Sequence, residues 1–335
     1  MNGAFAETLR AFPAPLAGEL RAGLARVERE IERLLATSDP LIAPAVGAVV
    51  SRPGKRLRPL LAVLGAMAVH GRISDGAVVR GAAAVEVLHL ASLVHDDVID
   101  ESRLRSGEPT PNAVLGNGRA VLLGDFLFAR AMLGAGRIGR ALFLRFVAVA
   151  EALVSGEFGQ AAMAGMIPPL ARYLGWIEAK TARLFALAAS PGREAVPPLE
   201  RYGHAFGMAY QLRDDLLDLI AEDGALGKPV MSDCRRGIYT YPIIAACARA
   251  PELATIVTRR GRDDPAWHRE LRAFLHRTGA VEEAEEACRD WAMRACTHLA
   301  DLPYTPAREA LAALAEWAAT IPRRDENGQG DGGLS

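Results

Sequence analysis

The sequence predicts an all-α protein, in which a single domain of helices surrounds a central cavity. Alanine, leucine and arginine, all good helix formers, dominate the 335 residues, and the alternating β-branched runs typical of strands are scarce. Segments 81–95 and 203–213 are apolar nearly all round, which is typical of helices in the interior of a bundle. Half of the chain is hydrophobic, which is enough to form a substantial core.

Glycine- and proline-rich turns separate the expected helices. "SRPGKR" ends the second helix, "SGEPTP" the fourth, "GMIPP" the sixth, "SPGREAVPP" the seventh and "DGALGKP" the eighth. No shift of composition marks a domain boundary, so residues 1–322 are expected to form one helical domain, and the polar tail 323–335 is expected to be disordered. In chain order the helices are expected at 16–37, 39–50, 56–70, 76–102, 111–134, 138–163, 168–189, 198–222, 240–249, 266–277, 281–300 and 306–320.

Overall composition argues against several broad functions. The net charge of −1 gives no case for nucleic acid or an anionic membrane surface as a partner. The cysteines form no CxxC pair, which argues against a zinc site or a disulfide framework and favours a reducing, cytoplasmic location. No uninterrupted apolar run reaches the roughly 18 residues of a transmembrane helix, and no signal peptide is recognised, so a soluble protein is expected.

Two clusters of aspartates interrupt the apolar helices. "LVHDDVID" contains Asp96, Asp97 and Asp100, and "YQLRDDLLD" repeats the spacing at Asp214, Asp215 and Asp218. Like charges at this spacing cost a helix about 0.2–0.5 kcal/mol per pair, and they cost more where they are desolvated. One such cluster is most simply a solvated helix face, but two copies in central helices indicate a shared function.

Magnesium ions between the two clusters would explain this cost. Carboxylates that face one cavity repel one another, and Mg²⁺ relieves the repulsion because it prefers oxygen ligands. Mg²⁺ also keeps water and substrate phosphate in its coordination shell, so two acidic walls predict a cage for a diphosphate. Basic side chains that would contact the phosphate oxygens occur in nearby motifs, and they are Lys55, Arg56, Arg58, Arg105, Lys180 and Lys228.

The order of these motifs resembles that of the all-trans polyprenyl diphosphate synthase family over residues 20–320. The shared motifs are "GKRLRP", "HLASLVHDDVID", "GEPT", "GDFLFARA", "GEFGQ", "EAKTARLF", "YQLRDDLLD" and "GKP". The resemblance implies an isoprenoid-synthase-type helical bundle that forms a homodimer. It also implies a Mg²⁺-dependent reaction, in which an allylic prenyl diphosphate ionises and is coupled to isopentenyl diphosphate.

The resemblance further implies a role for each matching residue. Mg²⁺ on the allylic diphosphate would be held by Asp96, Asp97, Asp100, Asp214, Asp215 and Asp218. That diphosphate would be bound directly by Arg105, Lys180 and Lys228. The diphosphate of isopentenyl diphosphate would be bound by Lys55, Arg58 and His89. The reacting centre would be lined by Thr181 and Gln211 beside Lys180.

Two departures from the family pattern concern charged positions. The second of two successive arginines after the first cluster is replaced by Ser106, and a lysine after the glycine of "DCRRGIYTYP" is replaced by Ile238. Losing a charged hydrogen bond costs about 1.5–3 kcal/mol before any compensation. Displaced cations that could compensate are Arg103, Arg235 and Arg236.

Product length is expected to depend on the side chains one turn before Asp96, because the growing hydrocarbon should extend from the first aspartate cluster down between the helices. These are Ala91 and Ser92, and in the resembling family bulky aromatics there give short products. Farther down, a second set of side chains could stop the growing hydrocarbon, but little obstruction is expected there from Ala129, Met132, Gly134 and Ala135. We therefore expect a deep tunnel and a product longer than four isoprene units, unless these small residues serve only close helix packing.

Two other functions remain open on the sequence alone. A terpene synthase of the same fold would ionise an allylic diphosphate without isopentenyl diphosphate, and the serine at position 106 fits such an enzyme. Retention of Lys55, Arg58 and His89 argues against it. A non-catalytic partner subunit of a heteromeric synthase would not need both aspartate clusters, which are intact.

Overall fold

The structure is a computed structural model that describes residues 12–52, 54–73, 76–220, 231–258 and 265–321. Its helices are α1 Ala14–Leu35, α2 Ala43–Val50, α3 Leu57–His70, α4 Gly76–Ile99, α5 Pro111–Leu115, α6 Asn117–Gly136, α7 Arg140–Ala161, α8 Leu170–Ile177, α9 Arg183–Ala189, α10 Pro197–Ile220, α11 Ser232–Arg235, α12 Tyr241–Arg249, α13 Leu253–Thr258, α14 Pro265–Arg277, α15 Ala280–His298 and α16 Pro306–Ala319. A π-helical turn, Glu178–Ala182, joins α8 to α9. The strands of the described ranges are β1 Leu104–Arg105 and β2 Glu108–Pro109, so the predicted all-α class is confirmed.

Helices α4 and α10 form the centre of the bundle, as their apolar sequences predict. Most of the side chains of both helices are buried, and α10 contributes to three clusters of the core. Glycines bring α10 close to its neighbour: a Cβ at Gly203 would lie 2.4 Å from the carbonyl oxygen of Phe185, and one at Gly207 would lie 2.6 Å from the Cα of Ala182. The two aspartate clusters lie at the C-terminal ends of these central helices.

Several boundaries differ from those expected. The helix expected at 168–189 is interrupted by the π-turn, and the one expected at 111–134 is broken at Gly116, which has φ 81°. Helix α4 ends at Ile99 and is followed by a hairpin, in which Ser106 and Gly107 have φ values of 52° and 80°. Positive φ at both central residues is the mark of a type I′ turn. The short helices α11 and α13 were not expected.

Helix α4 is long and apolar enough to cross a membrane by length and composition, although no uninterrupted run in its sequence reaches that length. Its most apolar window is 72% buried inside the protein, which is the environment of a core helix. Lys228 and the tail expected to be disordered, 323–335, lie outside the described residues.

Candidate active site

A cavity of about 120 Å³ is lined by residues from the ends of α4 and α7, the β-hairpin, α8, the π-turn, α10, α11 and the connection from α11 to α12. The residues on its walls are mostly polar or charged. Among the residues predicted for the site, the cavity is lined by Asp96, Asp100, Arg105, Lys180, Thr181, Gln211 and Asp215. Members of both aspartate clusters therefore line one space, namely Asp96 and Asp100 from the first and Asp215 from the second.

The first cluster divides between the cavity and the protein interior. Asp96 and Asp100 line the cavity, whereas Asp97 is 1% exposed and lies behind them. Asp97 Oδ1 accepts a hydrogen bond of 2.7 Å from Arg105 Nε, and Arg52 Nη1 lies 3.7 Å from Asp97 Oδ2. Asp97 therefore brings two guanidinium groups together at the base of the hairpin.

The second cluster divides in a similar way. Asp215 lines the cavity, while Asp218 is buried and accepts hydrogen bonds from Ser232 Oγ at 2.8 Å and from the backbone N–H of Asp233 at 3.2 Å. Asp218 thereby fixes the start of α11. The third member, Asp214, is exposed and does not line the cavity.

A hydrogen-bonded network holds Asp215 in place. Its Oδ2 accepts from the hydroxyl of Tyr173 at 2.6 Å, and its Oδ1 accepts from Gln211 Nε2 at 2.7 Å. The Oε1 atom of Gln211 in turn accepts from the hydroxyl of Thr181 at 2.8 Å. Burial outweighs these bonds and raises the pKa of Asp215 to about 7.

Like-charge repulsion is also present at the first cluster. Burial, followed by the charge of Glu157, raises the pKa of Asp96 to about 6. Lys180 forms an ion pair with Glu157 and donates a hydrogen bond of 2.6 Å to Gln160 Oε1. The π-turn places Lys180 and Thr181 on the cavity wall, and such turns occur often at functional sites.

Arg236 connects the first aspartate cluster to the start of α11. It forms an ion pair with Asp100 on one side, and its Nη2 donates a hydrogen bond of 2.7 Å to Asp233 Oδ1 on the other. Ile238 lies on the same cavity wall. Of the arginines considered as compensation for Ile238, Arg236 is the one that reaches the cavity.

The predicted isopentenyl diphosphate residues lie apart from these cavity walls. Arg58 lies with its guanidinium carbon 4.5 Å from the centroid of the Phe185 ring, and its buried Nε has no hydrogen-bond partner. Lys55 Nζ lies 5.2 Å from the centroid of the Trp317 ring. Burial, together with nearby arginines, lowers the pKa of His89 well below its ordinary value, so His89 is neutral at pH 7.

The loop that carries these residues is held by Arg56, which has a left-handed backbone with φ 48°. Its guanidinium donates to Glu28 at 2.9 Å, to Glu86 at 3.0 Å and to the carbonyl of Val50 at 2.9 Å. Arg56 therefore serves the conformation of the loop and is not available to a ligand.

The cavity walls suit a hard divalent cation. Their ionisable ligand groups are carboxylates only, the donor set that Mg²⁺ prefers, and neither histidine nor cysteine lines the cavity. Within the described ranges no three carboxylate, imidazole or thiol groups meet as a metal site by themselves. That arrangement fits Mg²⁺, which usually keeps water and substrate phosphate in its shell.

Sequence reasoning missed several residues around the cavity, namely Arg52, Glu157, Gln160, Tyr173 and Asp233. Glu157 and Gln160 stand three apart in "GEFGQ", and that spacing places them on one helix face. Arg52 and Tyr173 gave no comparable signal, because their contacts join segments distant in the sequence.

The small residues predicted below the first cluster differ in their surroundings. Ala91 is buried in the core, and Ala129 is exposed and so lines no interior space. A Cβ at Gly134 would lie 3.0 Å from Leu34 and 3.3 Å from Ala84, so Gly134 permits close helix packing. Gly134 thus fits the alternative of close helix packing, and the depth of the tunnel stays a prediction.

Comparisons with known proteins agree with the site. The family model described as Polyprenyl synthetase matches residues 39–275. The chain is 34% identical to a nonaprenyl diphosphate synthase of Mycobacterium tuberculosis over 91% of this chain and 94% of that protein. It is also 34% identical to a short chain isoprenyl diphosphate synthase of Methanothermobacter thermautotrophicus, over 85% of this chain and 90% of that one.

A solved structure gives the same result. The polyprenyl synthase of Caulobacter crescentus, complexed with calcium and isoprenyl diphosphate, superposes with a TM-score of 0.82 at 33% identity. The match covers 91% of this chain and 96% of that one.

Proposed function

The chain belongs to the polyprenyl synthetase family of prenyltransferases, and on that premise we propose that it condenses an allylic prenyl diphosphate with isopentenyl diphosphate, with Mg²⁺ as cofactor. The observation that carries the proposal is the single cavity in which carboxylates from α4 and α10 face Arg105, Lys180 and Arg236. Opposite charges on one small cavity suit a metal–diphosphate complex.

Binding of the allylic diphosphate would use both kinds of charge. The aspartates that line the cavity, Asp96, Asp100 and Asp215, would hold Mg²⁺, which would supply positive charge to the diphosphate and make it a better leaving group. Arg105, Lys180 and Arg236 donate to the diphosphate oxygens and stabilise the negative charge that develops as the C–O bond breaks. Lys180 would exchange its present bonds to Glu157 and Gln160 for phosphate oxygens.

The reacting carbon would lie beside Thr181 and Gln211, whose mutual hydrogen bond fixes both side chains. Lys55, Arg58 and neutral His89 would hold isopentenyl diphosphate so that its double bond faces the allylic carbon. The allylic C–O bond breaks first, the double bond of isopentenyl diphosphate then attacks the resulting cation to form the new C–C bond, and a proton leaves to the released diphosphate. The apolar interior below the cavity excludes water from the cation.

Near positions 106 and 238, where the cations of the family pattern are missing, the structure has arginines from other positions. Arg52 places a second guanidinium beside Arg105 at Asp97, although position 106 is serine. Arg236 brings a cation to the wall where Ile238 lies. Both contacts favour a complete elongating enzyme over a terpene synthase or an inactive subunit.

The product would be of medium or long chain. The small side chains of Ala91 and Ser92 support this, as do relatives named for long products, whereas the closed packing at Gly134 limits the depth available in the protomer. Chromatography of products from farnesyl diphosphate and isopentenyl diphosphate tests the proposal. Arrest at three or four isoprene units would contradict it.

A homodimer in the cytoplasm would be the working form of the enzyme. Helices α6 and α7 expose apolar side chains in numbers that favour an interface between subunits, and these are Val121, Leu122, Leu133, Leu144, Val154 and Phe158. The residues of α7 that reach the cavity, Glu157 and Gln160, adjoin Phe158, so the interface would lie near the active site.

One assay separates the candidate functions. The purified chain is incubated with Mg²⁺ and an allylic diphosphate, with and without isopentenyl diphosphate, and the products are identified by mass spectrometry. We expect longer prenyl diphosphates only when isopentenyl diphosphate is present. Volatile hydrocarbon or alcohol without it would indicate a terpene synthase, and the absence of any product would indicate a non-catalytic subunit.

A further inference from the structure

We infer that Arg213 and Trp317 complete the isopentenyl diphosphate site, with Arg213 as a third cationic ligand and Trp317 as the aromatic surface that positions Arg213 and Lys55. This inference rests on the proposed function and adds two residues to one of its substrate sites. Neither residue carried a functional signal in the sequence.

One indole ring contacts both cations. The guanidinium carbon of Arg213 lies 5.0 Å from the Trp317 ring centroid, and Lys55 Nζ lies 5.2 Å from it. Cations bind to the face of a tryptophan ring more strongly than to other aromatic rings. Trp317 on α16 thus holds together a lysine from the loop before α3 and an arginine from α10.

The aromatic surface continues to the third cation. Trp317 contacts Tyr210 at 6.2 Å between ring centroids, and Tyr210 contacts Phe185 at 5.4 Å. Phe185 in turn lies under the guanidinium of Arg58. Lys55, Arg58 and Arg213 therefore lie along one aromatic surface.

Carboxylates act on these three cations only from beyond salt-bridge distance: Asp214 acts on Lys55 and Arg213, and Glu86 acts on Arg58. Within the described residues, none of them has a carboxylate in salt-bridge contact, and the buried Nε of Arg58 lacks a hydrogen-bond partner. Arg213 is only 7% exposed. Like charges that are held together without a direct ion pair indicate a site for a polyanion, and a diphosphate has the matching charge.

The backbone of α16 fixes the orientation of Arg213. Its Nε donates a hydrogen bond of 2.7 Å to the carbonyl oxygen of Thr320, the residue that follows α16. With Nε engaged there, the terminal nitrogens of the guanidinium are left for phosphate oxygens. This contact also makes the C-terminal helix part of the substrate site.

The test compares Arg213→Gln and Trp317→Leu with wild type in steady-state assays that vary each substrate separately. We expect Arg213→Gln to raise the KM for isopentenyl diphosphate by about ten-fold or more, the loss expected for one charge-assisted hydrogen bond. The KM for the allylic diphosphate should change less than about two-fold. Trp317→Leu should act in the same direction, and Arg213→Lys should restore part of the loss.

Arg294→Gln is the matched control, because Arg294 makes the same kind of contact, 4.7 Å from the Trp291 ring centroid, on the exposed part of α15. Thermal unfolding of each variant measures any loss of folding. Unchanged or equally changed KM values for both substrates in the folded Arg213 and Trp317 variants would overturn the inference. A wild-type chain that makes no elongated product would instead overturn the proposed function.

Discussion

Under the proposed function, Arg52 from a distant segment would replace an arginine at position 106, and Arg236, two residues before Ile238, would replace a lysine at position 238. Arg52 precedes the basic loop in the sequence but reaches Asp97 and the carbonyl of Pro109 in the hairpin. Charge at a site is therefore retained in space even where a linear motif is incomplete.

Arg52→Gln should lower kcat/KM for elongation about ten-fold, because one charged contact near the diphosphate is lost. Adding Ser106→Arg in the same chain should restore part of that activity. The control is Arg103→Gln, since Arg103 is exposed in the same region. A double variant no better than Arg52→Gln would contradict the view that the two positions serve one site.

Arg236→Ala should raise the KM for the allylic diphosphate, because the substitution removes one of the cations that line the cavity. Ile238→Lys, placed in that variant, should recover activity from the neighbouring position on the wall. Steady-state kinetics with the allylic substrate varied provides the measurement. Failure of the second change to recover any activity would show that Arg236 has a different role.

Packing between neighbouring helices positions the side chains of the reacting centre. The π-turn that carries Lys180 and Thr181 packs against α10. The two backbones are in close contact at Gly207, where a Cβ would lie 2.6 Å from the Cα of Ala182. Any side chain at Gly207 must push the π-turn away from Gln211.

Gly207→Ala should destabilise the protein by about 1–3 kcal/mol, the usual cost of overpacking a core, and it should lower kcat as Thr181 moves. Gly18→Ala is the control: a Cβ at Gly18 meets nothing within 4 Å, so alanine there should stabilise α1 by roughly 0.5–1 kcal/mol. Chemical denaturation measures both changes. Equal stability of the two variants would refute the close contact.

Long helices were predictable, while the features that shape the site were not. The apolar pattern located α4, α10 and α15 to within about three residues. The π-turn and the short helix α11 depend on local hydrogen-bond geometry and on Asp218, which no periodic pattern reports. The aspartate clusters were visible in the sequence, but the division of each between cavity and interior was set by packing.

The raised pKa values of two cavity aspartates make the stability of the whole molecule depend on pH when metal is removed. The pKa values of about 6 for Asp96 and about 7 for Asp215 lie above the ordinary value for aspartate, so the folded protein binds more protons than the unfolded chain between pH 4 and 7. Stability without metal should therefore fall as pH rises through this window.

In the presence of a chelator, the melting temperature should be lower at pH 8 than at pH 5.5. Asp215→Asn should reduce the difference, whereas Asp301→Asn, which changes an exposed carboxylate, should leave it unchanged. Mg²⁺ with inorganic diphosphate should raise the melting temperature most at pH 8. An identical pH dependence in wild type and Asp215→Asn would contradict the assignment.

Association of two chains should depend on the apolar face of α6 and α7. Phe158, which is 77% exposed, is the most exposed large apolar side chain of that face, and Phe158→Asp should shift the protein from dimer to monomer in analytical ultracentrifugation. Leu41→Asp is the control, because Leu41 is 87% exposed on a different segment. A wild-type monomer would rule out the dimer itself.

The extra residue in the π-turn constrains how this protein can change over evolutionary time. A helix with one surplus residue returns to regular α-helical winding if that residue is deleted. Deletion of one residue within Glu178–Ala182 would restore regular winding and would shift Lys180 and Thr181 around the helix axis, away from the cavity wall that they now line. Functional variants must therefore preserve the length of this segment even where its amino acids change.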